Sequence, residues 1–288
     1  MMAWTPYLQL VRAPALFTAV SNITAAHLLA TGGVIQWPAL LLLCAASVAF
    51  LSGGMVLNDC FDIGVDARER PGRPLPSGQV SRSVAWGLGT GLLVSGVAIA
   101  SLVNTAAASF AAALAASVLV YDGLLKATWI GPVAMGLCRY LNWMLGLSVA
   151  ALGVAAWLIP LPVLLYIAAV TVLSRAEARA QDRGLVVLAA LGMLFAGATI
   201  ALLWLQGIMV NIWVLPIAAA ALLAVLYLLA ETYREFSPQR VQSAVGRLIF
   251  GIIPLDALLV VGAGIWWGVL LVLLMLPGRW LGRRLYVT

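Results

Sequence analysis

Asn58, Asp62 and Asp66 stand four residues apart. On a helix of about 3.6 residues per turn they fall within one narrow stripe. An amide and two carboxylates are hard oxygen ligands. Mg²⁺ takes few of these from protein and completes its octahedron with other oxygens, phosphate included. Stacked carboxylates repel without a cation, so the stripe predicts a bound divalent ion. The same spacing also suits a solvated helix end whose acids are balanced by nearby arginines. Directly after it comes Arg68-Glu69-Arg70-Pro71-Gly72-Arg73-Pro74-Leu75-Pro76-Ser77-Gly78. Its prolines and glycines fix a loop shape, and its three guanidiniums suit bidentate phosphate recognition. A basic loop that sets membrane topology is the commoner use of such charge. The adjacent carboxylates favour phosphate, because a diphosphate needs both cation types.

The elements that carry these residues are set by composition. Of 288 residues, 64% are hydrophobic and only 9% charged, against about 45–50% and about 25% in soluble domains. A mean hydropathy of +1.08 cannot be hidden inside a water-soluble globule of this size. The chain is therefore read as an all-α, polytopic membrane protein, one domain over residues 1–288, and not as a cytosolic enzyme, a disulfide scaffold or a disordered chain. The net charge of +6 does not signal nucleic acid, since the basic residues sit in short loops between apolar runs. Cys44, Cys60 and Cys138 show no paired spacing, and the lone His27 reads as packing or a hydrogen bond.

Spanning a bilayer takes about 20 apolar residues. Candidate spans are 15–31, 39–57, 84–103, 107–121, 131–151, 160–174, 185–205, 213–230 and 248–276. No cleavable signal is expected before the first. Charged connections, from Arg12 to Arg247, alternate with short uncharged ones, which predicts an inner (plasma) membrane protein with its N-terminus and charged loops cytoplasmic. Nine spans would put Arg279, Arg283 and Arg284 outside, against that rule. Pro254, Asp256 and Gly262 interrupt the last stretch, so a re-entrant piece plus a span is the alternative that returns the tail. Trp37, Trp129, Trp213 and Trp280 read as interfacial belt residues, and Gly87 and Gly91 as a close-packing pair. Arg139 and Asn142 are i and i+3. A charge within a span is costly, so Arg139 is expected to point into the bundle, toward a phosphate or Asp256, with a snorkelling anchor as the alternative.

The stripe Asn58-Asp59-x-x-Asp62-x-x-x-Asp66, with the Arg-x-Arg-Pro-x-Arg-Pro-Leu-Pro-Ser-Gly loop, resembles the first signature of the UbiA superfamily of intramembrane prenyltransferases. Leu10-Val11-Arg12-Ala13-Pro14-Ala15-Leu16-Phe17-Thr18, with Asn22 beyond it, is similar to that family's opening. Tyr121-Asp122-Gly123-Leu124-Leu125-Lys126 resembles its Tyr…Leu-Lys element. The resemblance covers essentially the whole chain. It implies about nine helices around a central cavity and a Mg²⁺-dependent transfer of a polyprenyl group from a polyprenyl diphosphate to an aromatic or lipidic acceptor. By position, Asn58, Asp62 and Asp66 would hold Mg²⁺, Arg68, Arg73 and Lys126 would contact diphosphate, and Tyr121 would lie near the reacting carbon. Asn22, Arg139 and Asn142 are further candidate substrate contacts.

The second acidic motif departs from the family pattern. Ser174-Arg175-Ala176-Glu177-Ala178-Arg179-Ala180-Gln181-Asp182-Arg183 has one glutamate, one aspartate and three arginines. Glu177 and Asp182 lie about 140° apart on a helix, whereas Glu177 and Gln181 share a face. Either Glu177 serves a second Mg²⁺ or Arg175 replaces that ion as counter-charge. This version is similar to the Ebo-type (EboC-like) branch of the superfamily. The alternative to catalysis is an isoprenoid- or lipid-binding membrane protein. Transport is disfavoured, because the acids gather at one face instead of mid-membrane.

Overall fold

The computed structural model describes residues 4–178 and 182–285, an all-α fold of helices and short connections with no strand among them. The α-helices are α1 (Thr5–Leu10), α2 (Leu16–Ala30), α3 (Trp37–Phe61), α4 (Ile63–Glu69), α5 (Arg82–Ser101), α6 (Thr105–Val120), α7 (Gly131–Leu147), α8 (Leu161–Ala178), α9 (Gly184–Leu205), α10 (Val214–Arg234), α11 (Pro238–Phe250), α12 (Ile252–Gly262) and α13 (Met275–Leu285). Among the described residues, eight helical runs are long and apolar enough to cross a bilayer, and α7 packs among them with 17 residues. The protein is a multi-pass membrane protein.

Helix starts follow local chemistry. Ser81, Asn104 and Ser237 cap α5, α6 and α11 by accepting from the amides of Val84, Ala107 and Arg240 at 3.4, 2.7 and 3.2 Å, which satisfies amides that have no partner within the helix. Between cap and tail, α2 is enclosed by α3, α7 and α12. His27 on α2 accepts from the Gln36 amide at 3.1 Å. Trp37, Trp129, Trp213 and Trp280 are exposed, as belt residues would be.

Two expectations are corrected. The tight helix contact is α3 against α5 at Gly53 and Gly89, not Gly87 and Gly91. A Cβ on Gly89 would stand 2.7 Å from Leu57 Cγ, while Gly87 and Gly91 face open space. The residue 248–276 stretch is not one span. The crossing is Pro238–Gly262, built from α11 and α12. The chain then reverses at Gly264 (φ +90°), where a left-handed backbone suits glycine. A 3₁₀ run over Trp266–Leu274 packs back along α12, and α13 reaches the Ala13–Ala15 turn. Gln9 Nε2 donates to the Leu285 carbonyl at 3.0 Å. The arginine-bearing tail thus lies on the same side as α1, because the last apolar stretch is a hairpin.

Candidate active site

At 1.5 Å per residue, the 25 residues of α3 span about 37 Å, more than the ~30 Å hydrocarbon core. Its acidic end therefore emerges at the polar boundary. Asp62 terminates α3, and α4 restarts at Ile63, which divides the expected stripe. Asn58 and Asp62 turn toward α6. Asn58 Nδ2 donates to Asp122 Oδ1 at 2.8 Å, and Lys126 Nζ pairs with Asp62. Asp122 sits in a π-helical turn, Tyr121–Leu125. Such turns often mark functional positions, and this one rotates Asp122 and Lys126 to face α3.

Asp66 goes elsewhere. It is buried and accepts from Arg73 Nη1 at 2.6 Å. Asp59, also buried, accepts from Arg12 at 3.3 Å and Arg73 at 3.5 Å. These acids anchor the proline loop, whose Leu75 and Val80 pack on Leu10, Val56 and Cys60. Arg12 reaches Asp59 from a left-handed backbone (φ 49°).

Arg175 Nη2 donates to the Lys126 and Thr128 carbonyls, each at 2.7 Å, which fixes it beside the π turn. Asp62, Asp122, Lys126 and Arg175 line one charged opening. Glu177 is not among its lining residues and pairs with Arg70 at 2.8 Å. Arg68 is exposed, with no ion pair among the described residues. Arg179 and Gln181 lie outside the described residues. Asp182 accepts from the Gly184 amide at 3.1 Å, at the start of α9.

Asp122 also borders a second space, an apolar chamber within the bundle. Phe50, Leu51, Met55, Leu114 and Val118 line it, with Asn58 and Tyr121 beside Asp122 and with Arg139 and Asn142 also in its wall. Arg139 points inward and donates to Asn22 Oδ1 at 3.2 Å and Thr18 Oγ1 at 3.0 Å. It meets Asp256 through Asn22, whose Nδ2 is 2.8 Å from both carboxylate oxygens.

Sequence reasoning placed Asp122 at the end of a span but gave it no role; the signal available was its place directly after Tyr121. It likewise gave Arg12 no acidic partner. The donors at the opening fit Mg²⁺. Asp62 and Asp122 in its lining, with Asn58 bonded to Asp122 from the chamber side, are hard oxygen ligands adjacent to cations that suit phosphate. No group of three His, Cys, Asp or Glu able to hold a metal occurs among the described residues. The fit is thus to an ion with few protein ligands that shares phosphate oxygens.

The solved structures with this fold include one described as structural and mechanistic insights into the biosynthesis of digeranylgeranylglyceryl phosphate synthase in membranes. It has a TM-score of 0.70 and 23% identity, covering 91% of this chain and 99% of that one. A UbiA homolog from Archaeoglobus fulgidus bound to DMAPP and Mg²⁺ has a TM-score of 0.66 and 16% identity, covering 92% and 98%. Among curated relatives, the digeranylgeranylglyceryl phosphate synthase of Methanoculleus marisnigri is 36% identical over 111 residues, 38% of this chain and 39% of the relative. That of Saccharolobus solfataricus is 30% identical over 127 residues, 44% and 45%. The chain spans less than half the length of the curated relatives it matches. Residues 19–185, more than half of the chain, match the UbiA prenyltransferase family, and the chain belongs to that family.

Proposed function

We propose that this protein transfers a polyprenyl group from a polyprenyl diphosphate to a small aromatic or lipidic acceptor, with Mg²⁺, at the cytoplasmic face of the membrane. The observation that carries this reading is that a charged opening and an apolar chamber adjoin each other at Asp122, which lines both. A prenyl diphosphate has those two parts in that order. The family membership supports the reaction class, and the DMAPP and Mg²⁺ of the Archaeoglobus fulgidus homolog support the ligand pair. The curated relatives' name puts glycerophosphate-type lipids among the acceptors to assay.

Asn58, Asp62 and Asp122 would hold Mg²⁺, which when bound stabilises charge on the leaving diphosphate. Lys126 and Arg175 add fixed positive charge at the same oxygens. Held by two carbonyls, Arg175 needs no reorganisation as that charge develops. Arg68 is free to reach the outer phosphate. Asp66 and Arg73 hold the loop instead of the ligand, and Glu177 acts through Arg70. The chamber wall shields the allylic cation from water, and Tyr121 stands where the charged and apolar parts meet.

The test is Mg²⁺-dependent diphosphate release from geranylgeranyl diphosphate by purified protein. Asp62→Ala should abolish it, and Glu177→Ala should leave most of it. One observation favours a second reading, binding without turnover: Glu177 is tied to Arg70, so among the described residues no second acidic motif faces the opening. Saturable binding of geranylgeranyl diphosphate with no release under any acceptor would establish that reading instead.

A further inference from the structure

Transfer needs a second molecule in the chamber, and the donor end does not account for the chamber's other polar wall. Asn142 is 5% exposed and lines the chamber. Its Oδ1 accepts from Ser47 Oγ at 2.7 Å, which leaves Nδ2 as a donor with no partner among the described residues. Buried amide donors are rarely left unpaired. Arg139, three residues earlier on the same face of α7, lines the same wall.

We propose that Asn142 and Arg139 form a subsite for a planar carbon–oxygen group, carbonyl or carboxylate, on the molecule that receives the prenyl chain. The inference rests on the transfer reading above and names the acceptor's chemistry. Both side chains present N–H groups, so the ligand must present acceptor oxygens. Arg139 is the cation of the chamber wall, and Asp256 already offsets it through Asn22. A doubly charged phosphate lacks counter-charge there. It belongs at the opening, where Lys126 and Arg175 lie. Between the two ends the wall is apolar, which suits a ring or hydrocarbon body.

Asp256 is the positioning residue. It has no exposure and accepts from Ser21 at 2.6 Å, from Asn22 and from Trp143 Nε1 at 3.3 Å. It thereby ties α2, α7 and α12 together behind Arg139. Position 256 lies beyond the residues 19–185 that match the family, so this support is a feature of the chain's second half.

The test uses the full chain in lipid nanodiscs and four ligands with one phenyl body: acetophenone, benzoate, cumene and phenyl phosphate. Acetophenone or benzoate should bind at least about tenfold tighter than cumene, the gain of one or two good hydrogen bonds. The tighter of the two says whether the natural group is a ketone or an acid. Phenyl phosphate should show no preference over cumene at this site. Asn142→Leu should erase the preference while geranylgeranyl diphosphate still binds. On the parent protein, the carbonyl stretch of ¹³C-labelled acetophenone should shift to lower frequency on binding, a readout that needs no variant to fold. Equal binding of cumene, tightest binding of phenyl phosphate, or an unshifted carbonyl band overturns the subsite. Loss of geranylgeranyl diphosphate binding by the parent protein would instead overturn the transfer reading beneath it.

Discussion

Arg73 separates what the residue pattern suggests from what the fold does. Position in the motif puts Arg73 on diphosphate and Asp66 on Mg²⁺; in the structure they hold each other at 2.6 Å, with Asp59 at 3.5 Å from the same guanidinium. Replacing Arg73 with Gln leaves the Asp66 carboxylate, only 7% exposed in its side chain, without its cation. Breaking a fully buried pair this way costs about 3–5 kcal/mol. Arg73 is itself 24% exposed and Asp59 keeps Arg12, so a loss of about 2 kcal/mol is expected here. Asp66→Asn should cost less, because it removes the stranded charge. The double variant Arg73→Gln/Asp66→Asn should recover part of the loss, a coupling of about 1 kcal/mol or more. Equilibrium unfolding in mixed micelles measures all three. Geranylgeranyl diphosphate binding, measured below the unfolding transition, should stay close to that of the parent protein in each. The reasoning is refuted if Arg73→Gln unfolds like the parent protein yet weakens diphosphate binding tenfold or more.

Other expectations are narrower. Lys126→Met should leave folding intact and cut diphosphate release by roughly 100-fold or more, about the effect of losing one preorganised charge contact, as read by single-turnover kinetics. Chelation with EDTA should stop release, and Mg²⁺ but not added monovalent salt should restore it. Gly89→Ala should destabilise by about 1–3 kcal/mol through its clash with Leu57, while Gly87→Ala, facing open space, should be neutral in the same unfolding assay. Asp256→Leu should lower stability by stranding Asn22, Ser21 and Trp143 and should weaken acetophenone binding more than geranylgeranyl diphosphate binding.

The helical class, the membrane setting and the grouping of acids at one side were legible in the residues, because hydropathy and local spacing act within a few turns of chain. Asn58, Asp62, Lys126 and Arg175 could be singled out as candidates for the same reason: each lies at a span end where charge is tolerated. Asp122 was visible in the sequence without an assigned role, since its partner Asn58 is 64 residues away and the π turn that carries Asp122 has no local sequence signal. The division of the Asn58–Asp62–Asp66 stripe was hidden because helical spacing assumes an unbroken helix, and α3 stops at Asp62. Glu177 could be placed on a helix face from sequence, but whether that face met the opening or Arg70 depended on how α8 packs.

What the sequence determined by itself was a bilayer-spanning helical bundle with one acidic and basic face, since transfer free energies add along the chain without reference to its partners. Tertiary structure decided which charges line the opening and which pair away from it, and that the tail returns beside α1. A carboxylate's role depends on the nearest opposite charge, and that neighbour can come from anywhere in the chain. Asp256, 234 residues from Asn22 in sequence and 2.8 Å from it in space, is the clearest instance.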